Sequence, residues 1–420
     1  MMAIPPLKNN CFAMPPGVAW TPVDEAVKQI KSGLHPVVEE EIIPLDLASG
    51  RATSKPINAN RNNPPLANSA VDGFGFSYDN LPDAEVMEMP LQSGVSAAGK
   101  PFGGTVQGGY ALRILTGAIL PVGIDTVVLE EDTAITDTTV TFRKGLRKGA
   151  NMRHAAEDVA VGDAIFEAGH VLRPQDIAFL AATAVHEVAV YKRLKVAVIS
   201  TGTELVEVGH AARDDQTFDA NKPMLLNMLR SWGFEAIDGG HFRDDPAVIR
   251  SGLCKAAQNA DAIFVSGGAS AGDEDYVSKL LSEEGTLHTW RVAVKPGRPI
   301  AMALWDGTPT FGFPGNPVAA FVCALIFGCP ALKVLAGQNA EPAKSYLVPA
   351  GFEKTKKAGR REYLRARIAS NGQVETFKSE GSGRISGLTW SDGLVELPDD
   401  AMNVALGDMV TYIPYTSFGL

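Results

Sequence analysis

Three polar segments follow predicted buried strands in the central part of the chain, and their residue types suit a phosphorylated ligand. They are residues 200–204, residues 244–245 and the glycine-rich residues 266–276. Ligands bind open parallel sheets at the carboxyl ends of the strands, where loops and helix N-termini meet. Glycines there let backbone amides approach a ligand closely, and a helix N-terminus favours an anion. The sequence therefore predicts a ligand-binding cleft at this edge of a sheet.

Carboxylates accompany these three segments. Glu204, Asp244 and Asp275 would repel a bare phosphate unless a cation lay between them, and carboxylate oxygens are hard ligands of the kind that Mg²⁺ prefers. We therefore expect these three residues to bind Mg²⁺ beside a phosphate. An acidic residue after a strand also commonly caps the next helix, and Asp273 or Glu274 could do only that. Three acidic strand ends in one domain favour the functional interpretation.

Two proline-containing turns add candidate ligand contacts. Lys295 and Arg298 flank a Pro-Gly turn after an alternating strand, and they suit an oxyanion because lysine supplies a point charge and arginine a planar fork. A solvated surface turn is the alternative. In residues 313–317 an asparagine cap and a proline at the first helical position explain the sequence without a ligand. The same amides could also hold a phosphate, and the sequence favours neither interpretation.

The composition and the missing motifs exclude several classes of protein. Among 420 residues, 48 are acidic and 38 basic, so the net charge of −10 opposes binding to nucleic acid or to an anionic membrane surface. The sequence contains no HExxH, GxSxG or P-loop motif, which disfavours a zinc hydrolase, a serine hydrolase and a P-loop ATPase. Four cysteines without CxxC spacing fit a reducing compartment, and no signal peptide is evident. Apolar residues 317–335 contain Gly328 and Pro330 and favour a buried helix over a membrane span. We expect a soluble cytoplasmic protein.

The predicted elements divide the chain into regions of different character. From residue 195 onward, strands at 196–199, 234–237 and 262–265 alternate with helices, a pattern that predicts a doubly wound α/β domain with parallel strands. Residues 51–149 are rich in glycine, proline and threonine with short alternating runs, which predicts a small β-domain. The residues after 335 again read as short strands and turns and predict a closing β-barrel.

These motifs, in this order, resemble the molybdopterin molybdenumtransferase family, which includes the bacterial MoeA proteins and the E domain of gephyrin. The matching segments are 68–74 (NSAVDGF), 113–118 (RILTGA), 157–158 (ED), 200–205 (STGTEL), 266–273 (SGGASAGD), 295–299 (KPGRP) and 314–317 (PGNP). One such segment would be a weak signal, but the ordered set is specific and spans about residues 20 to 400.

The resemblance implies an elongated homodimer built from four parts. Its fold class is α/β and β multidomain: a doubly wound molybdopterin-binding α/β domain, an inserted small β-domain, a split dimerisation region and a C-terminal β-barrel. The corresponding bounds are residues 18–58 with 150–190 for the split dimerisation region, 59–149 for the inserted β-domain, 191–337 for the α/β domain and 341–420 for the barrel. The active site then lies between the α/β domain of one subunit and the inserted β-domain of the other.

The implied reaction is Mg²⁺-dependent insertion of molybdate into adenylylated molybdopterin with release of AMP. The resemblance assigns catalytic roles to Asp72, Thr116, Glu204, Asp244, Asp275 and Lys295, of which Glu204, Asp244 and Asp275 are the metal ligands. It assigns contacts to the pterin, nucleotide or oxyanion to Thr201, Gly202, Ser266, Gly267, Gly268, Ser270, Gly272, Arg291, Arg298, Pro314, Gly315, Asn316, Arg365 and Ser386. From the residues alone, Asp72 and Gly73 indicate a turn and nothing more.

Three other functions remain open at this stage. A molybdopterin adenylyltransferase shares the α/β domain, but it lacks the inserted β-domain and the final barrel. A non-catalytic molybdopterin-binding scaffold or carrier would bind the pterin without turnover. Whichever function applies, the resemblance implies other proteins of the molybdopterin pathway as partners. A sugar-phosphate or nucleotide enzyme could use the same α/β site without a pterin.

Overall fold

The computed structural model describes residues 20–268, 276–290, 292–297 and 300–420, with the side chains of 287–290 left out. The chain forms two compact units. Among the described residues, the first unit comprises those of 20–40 and 191–420, and the second unit comprises residues 41–190.

Eight α-helices are present in the described part of the chain. They are α1 (Val23–Gly33), α2 (Pro174–Ala182), α3 (Asn221–Ser231), α4 (Pro246–Ala257), α5 (Tyr276–Glu283), α6 (Pro317–Cys323), α7 (Cys329–Leu335) and α8 (Ser386–Trp390). A π-helical turn over Ala324–Gly328 joins α6 to α7.

The second unit is mainly β-structure. Its strands are β1 (Glu40–Pro44), β2 (Ile57–Asn58), β3 (Asn68–Ser69), β4 (Gly73–Phe76), β5 (Val86–Ser96), β6 (Ala111–Ile114), β7 (Thr126–Leu129), β8 (Thr133–Ile135), β9 (Thr139–Arg143), β10 (Met152–Arg153), β11 (Ala164–Phe166) and β12 (Glu187–Tyr191). Six of them form a sheet in the order β7-β4-β6-β5-β9-β8, and a core with Phe74, Phe76 and Phe142 packs on it. Three two-stranded pairs connect the beginning of the second unit with its end in the sequence: β1-β12, β3-β10 and β2-β11.

The strands of the first unit begin at Lys195, shortly after the second unit ends at Val190. They are β13 (Lys195–Thr201), β14 (Leu205–Val206), β15 (Thr217–Phe218), β16 (Glu235–Phe242), β17 (Ala262–Ser266), β18 (Thr286–Trp290), β19 (Val294–Lys295), β20 (Ile300–Trp305), β21 (Thr308–Phe313), β22 (Tyr346–Pro349), β23 (Lys354–Lys356), β24 (Arg361–Ile368), β25 (Val374–Thr376), β26 (Gly393–Leu397), β27 (Met402–Val404) and β28 (Met409–Pro414).

The central sheet of the first unit has the order β16-β13-β17-β21-β20-β18. Strands β16, β13, β17 and β21 run parallel, whereas β20 and β18 are antiparallel to their neighbours. Both faces are covered, because alternate residues of β13 enter two cores. Val196 and Val198 pack with α3 and the helical run α6–α7, while Ala197 and Ile199 pack with α4 and α5. Strands buried on both faces read as continuous apolar runs, which is why the sequence predicted them.

One helix in the described part of the chain is long and apolar enough to span a membrane by length and composition, namely the run Pro317–Leu335. It is 78% buried within the protein, where Val322, Leu325 and Leu332 belong to the same core as β13. The prediction of a buried helix is confirmed, and the apolar composition is explained by packing on the sheet.

A second sheet of the first unit holds the C-terminal strands in the order β19-β24-β26-β28-β22, with β25 paired to β24. Its first member, β19, precedes the others by about fifty residues of sequence and contains Lys295. The pairing joins Lys295 directly to Glu362 on β24. This long-range contact decides where Lys295 lies.

The expected grouping of residues 18–58 with 150–190 stays a prediction. Helix α1 belongs to the first unit, because Val23, Ala26 and Ile30 are buried in the core formed by the central sheet and α7. The amphipathic spacing of α1 identified the helix, but such spacing says only that a face is buried and not which surface covers it.

Candidate functional site

A cavity of about 640 Å³ lies at the carboxyl ends of the parallel strands in the first unit. Eight of the predicted site residues line it. They come from the three polar segments that follow strands in the sequence analysis and from the turn before α6. They are Thr201, Gly202, Glu204, Asp244, Ser266, Gly267, Gly315 and Asn316. The sheet brings them together because β13, β16, β17 and β21 are parallel and end at the same edge.

Glycine is required at position 267 by both conformation and space. Its φ of +88° lies in the left-handed region, and a Cβ atom there would lie 2.7 Å from the carbonyl oxygen of Thr201. This close approach lets the loop after β17 contact the end of β13, where the Thr201 hydroxyl donates to the Ser266 carbonyl at 3.3 Å. The backbone therefore forms part of the cavity floor.

The two acidic residues after β16 have different roles. Asp245 caps α4, accepting hydrogen bonds from the amides of Ala247 at 2.8 Å and Val248 at 3.2 Å. Asp244 instead lines the cavity and joins two strand ends: its Oδ2 accepts from the Thr203 amide at 2.8 Å, and its own amide donates to the Thr203 hydroxyl at 3.2 Å. Helix capping thus falls to Asp245, and the neighbouring Asp244 is left facing the cavity.

Two further residues of the cavity wall were missed by the sequence reasoning. Asn221, at the start of α3, donates from Nδ2 to the Ser266 hydroxyl at 2.8 Å and to the Gly315 carbonyl at 2.7 Å. Asp219 accepts the amides of Asn221 and Lys222 on Oδ1, both at 3.1 Å. The other side-chain oxygens, Oδ1 of Asn221 and Oδ2 of Asp219, are buried without a hydrogen-bond partner in the described structure. Buried oxygens of this kind are costly unless a ligand supplies a donor or a cation.

The cavity is strongly acidic. Glu204, Asp219 and Asp244 line it, and no lysine or arginine is among its described lining residues. Across residues 20–268, 276–290, 292–297 and 300–420, no group of three or more His, Cys, Asp or Glu side chains is arranged to hold a metal ion. Asp275, the third predicted metal ligand, lies outside the described residues. The carboxylate chemistry nevertheless fits a hard divalent cation that would offset the repulsion of a phosphate.

Lys295 lies elsewhere in the first unit. It lines a smaller cavity of about 200 Å³, together with Lys354, Arg365 and Glu380. Because β19 pairs with β24, the Lys295 ammonium forms ion pairs with Glu362 at 3.3 Å and with Glu380 at 2.6 Å. Lys295 and Glu204 therefore line different cavities. Spacing along the chain could not reveal the strand pairing that separates them.

The two cavities share a wall formed by residues 378–385. Ser379 and Glu380 line the smaller cavity, whereas Gly383 and Ile385 line the larger one. The Val318 amide at the start of α6 donates to the Ser382 carbonyl at 3.2 Å, which fixes this segment beside the turn 314–317. The two cavities are therefore neighbours within one unit.

Arg365 holds this shared wall. Its guanidinium is 4% exposed, lies over the Phe377 ring at 4.9 Å, and donates to the carbonyls of Ser379, Gly381 and Arg384. Burial lowers the pKa of Arg365, and the planar fork still reaches three carbonyls at once. Arg365, which the resemblance assigned to ligand binding, thus lines the smaller cavity while its guanidinium donates to backbone carbonyls.

The remaining predicted contacts divide into three groups. Gly268 and Pro314 are buried beside the larger cavity, and the Gly268 carbonyl accepts from the Ser278 hydroxyl at 3.2 Å. Ser386 is exposed at the beginning of α8. The last group lies outside the described residues and comprises Ser270, Gly272, Asp275, Arg291 and Arg298.

Asp72 and Thr116 form a hydrogen-bonded pair in the second unit. Oδ1 of Asp72 accepts from both the hydroxyl and the amide of Thr116, each at 2.6 Å. These bonds, from the hydroxyl first and then the amide, hold the pKa of Asp72 below its usual value. Glycine is required at the adjoining position 73, because a Cβ atom there would lie 1.8 Å from the Val128 carbonyl oxygen in the neighbouring strand β7. Two motifs that are distant in sequence thus present one charged carboxylate.

The fold and the cavity define the class of the protein as an α/β protein of the molybdopterin-binding type. The model described as "Probable molybdopterin binding domain" matches residues 197–334, which contain the described strand ends of the larger cavity. The models for the "MoeA N-terminal region (domain I and II)" and the "MoeA C-terminal region (domain IV)" match residues 21–184 and 348–415. The chain belongs to the molybdopterin molybdenumtransferase family, as the resemblance implied.

Individual relatives agree along almost the whole chain. It is 32% identical to the molybdopterin molybdenumtransferase of Haemophilus influenzae over 94% of its own length and 98% of that protein. It is 32% identical to the enzyme of that name from Nostoc sp., covering 86% of this chain and 85% of the relative. The structure titled molybdopterin biosynthesis moeA protein from Pyrococcus horikoshii is 26% identical with a TM-score of 0.82, over 94% of this chain and 100% of that one. The expected multidomain fold class is confirmed.

Proposed function

We propose that the protein inserts molybdate into adenylylated molybdopterin and releases AMP, a step of molybdenum cofactor biosynthesis. The observation that supports this most directly is the convergence of eight motif residues on one acidic cavity, in a chain similar over its length to proteins named molybdopterin molybdenumtransferase. A cavity of about 640 Å³ falls in the range of pockets that bind nucleotide-sized ligands.

The two neighbouring cavities divide the substrates between them. The larger one takes the adenylylated pterin, with the amides near Gly202 and Gly267 beside its phosphates. The smaller one, about 200 Å³ with Lys295 and Arg365 on its wall, has room for roughly six or seven waters at ~30 Å³ each, which suits a tetrahedral oxyanion and not a pterin. Molybdate bound there would be held beside the dithiolene across the segment 378–385.

Magnesium fits the acidic wall of the larger cavity. Glu204 and Asp244 would hold it, with Asp275 as the further predicted ligand. When bound, a Mg²⁺ ion supplies Lewis-acid polarisation of the phosphate and neutralises charge on the leaving AMP. The chain's own residues orient the substrate: the Asp244–Thr203 hydrogen bonds fix the loops after β13 and β16, and Asn221 fixes the turn at Gly315.

The second unit would complete the site in a homodimer. Asp72 and Thr116 present a charged, preformed carboxylate and hydroxyl pair, and we propose that they contact the substrate bound to the partner subunit. The protein would act in the cytoplasm with small-molecule substrates and pass its product to other proteins of the pathway.

The activity is tested by measuring AMP formed from adenylylated molybdopterin with and without molybdate and Mg²⁺. We expect AMP release that needs both additions and falls about a hundredfold or more in Glu204→Gln, because one lost carboxylate removes a charge from the metal site. Arg213→Gln, whose exposed side chain pairs with Asp215, is the control and should keep full activity. Pyrophosphate formed from ATP and molybdopterin would instead identify an adenylyltransferase, and pterin binding without AMP release would identify a carrier.

A further inference from the structure

Two lysines and two glutamates form a charged cluster at the smaller cavity, and three of the four, Lys295, Lys354 and Glu380, line it. Lys295 pairs with Glu362 at 3.3 Å and with Glu380 at 2.6 Å. Lys354 pairs with Glu362 at 3.2 Å and also contacts Glu380. Each carboxylate thus bridges both ammonium groups, and the four formal charges sum to zero.

The two glutamates are held very differently. Glu362 lies within β24, and its side chain is only 11% exposed. Glu380 follows β25 in the segment 378–385, outside any strand, and its side chain is 46% exposed. Both lysine side chains are shielded, at 17% exposure for Lys295 and 12% for Lys354. Glu362 is therefore the fixed counter-ion of the lysines, and Glu380 is the partner that can leave without breaking a strand.

Glu380 binds the lysines as a bidentate anion. Its Oε2 accepts from Lys295 and its Oε1 accepts from Lys354, so one oxygen faces each ammonium. Burial would raise the pKa of Glu380, but the hydrogen bonds from Lys295 and Lys354 outweigh it and hold that pKa below its usual value. Two oxygens on one tetrahedral centre can make the same pair of contacts, because charge-assisted bonds of this type suit any small oxyanion.

We propose that Glu380 is a built-in competitor for the oxyanion substrate and that Lys354 is the second cation of the oxyanion site. This inference rests on the proposed function, since it assumes that the smaller cavity receives molybdate. Binding requires the Glu380 carboxylate to leave the two ammonium groups and a dianion to take its place. The cluster then changes from a net charge of zero to −1, whereas a monoanion would leave it at zero.

The segment that carries Glu380 also borders the larger cavity. The segment 378–385 that contains Glu380 continues to Gly383 and Ile385 on the wall of that cavity. Arg365 holds the backbone of this segment on both sides of Glu380, through the carbonyls of Ser379 and Gly381. The side chain can therefore leave while the wall between the two substrates stays in place.

The test measures molybdate binding to the full-length protein by isothermal titration calorimetry at constant ionic strength. Removing the competing charge in Glu380→Gln should lower the Kd for molybdate about tenfold, and removing a cation in Lys354→Met should raise it about tenfold, each near the effect of one charge-assisted contact. Glu375→Gln is the matched control: its side chain is 43% exposed and pairs with Arg367 on the adjoining strand. That variant should bind molybdate like the wild type.

The steady-state assay separates the two hypotheses. An unchanged Kd and an unchanged KM for molybdate in Glu380→Gln, with normal AMP release by the wild type, would overturn the competitor role while the proposed function stands. A wild type that neither binds molybdate nor releases AMP would overturn the proposed function itself. If Lys354→Met fails to fold, as its melting transition would reveal, the Glu380→Gln result alone decides.

Discussion

Asn221 gives the sharpest test of how the larger cavity is built. Its Nδ2 makes two hydrogen bonds, to Ser266 at 2.8 Å and to Gly315 at 2.7 Å, and the residue is only 6% exposed. Asn221→Ala removes both bonds and leaves the Gly315 carbonyl without this donor. At about 1 kcal/mol for each lost bond, the first unit should lose roughly 2 kcal/mol of stability. For a unit of this size, the loss corresponds to roughly 4–8 °C in Tm.

The control variant lies on the same helix. Asn227 on α3 is exposed, and its Nδ2 donates only to the Pro223 carbonyl one turn earlier. Asn227→Ala should shift the melting transition by no more than about 2 °C, because exposed substitutions of this kind change stability by about 0.5 kcal/mol at most. Calorimetry of both variants measures the difference, and the KM for adenylylated molybdopterin should rise in Asn221→Ala alone. Equal shifts in the two variants would refute the role of Asn221 in joining the strand end to the turn.

Three other predictions address the second unit. Asp176→Asn should cost about 2 kcal/mol near pH 7, because the carboxylate is 4% exposed and accepts three hydrogen bonds from Arg173. These bonds lower the pKa of Asp176. The stabilisation by the carboxylate is therefore complete above about pH 4–5 and disappears as the pH falls through the folded-state pKa. The difference in Tm between wild type and Asp176→Asn should accordingly narrow below about pH 4. Gly73→Ala should strongly destabilise the six-stranded sheet of the second unit, because the added Cβ atom would lie 1.8 Å from a carbonyl oxygen. An unchanged melting transition would contradict that packing. Asp72→Ala and Glu204→Gln should each be inactive alone. When the two variants are mixed and exchange subunits, about a quarter of the wild-type activity should return. No recovery would argue against a site shared between subunits.

Much of the α/β domain could be predicted from sequence because its signals are local. The buried strands predicted at 196–199, 234–237 and 262–265 correspond to β13, β16 and β17, and α3 and α4 lie between them. Parallel strands enclosed by helices on both faces need apolar runs, and their ends need polar loops. Both patterns are visible without knowledge of the partners, so eight residues of the larger cavity could be identified in advance, although Asp219 and Asn221 could not.

The positions of Lys295 and Asn221 depend on contacts that no local pattern specifies. Lys295 joins the C-terminal sheet through a two-residue strand paired with residues more than sixty positions later. Asn221 looks like an ordinary residue at a helix start, yet it binds Gly315 at a separation of 94 residues. The four-part division of the chain and the role of the residues around 270–275 stay predictions.

The division of substrates between the two cavities is tested most directly by anomalous X-ray diffraction at the molybdenum edge. Crystals grown with molybdate and AMP should show nucleotide density beside Gly202 and Gly267, and a molybdenum peak between Lys295 and Lys354 with the Glu380 carboxylate displaced. A molybdenum peak beside Glu204 and Asp244, with Glu380 still bridging the two lysines, would contradict the account.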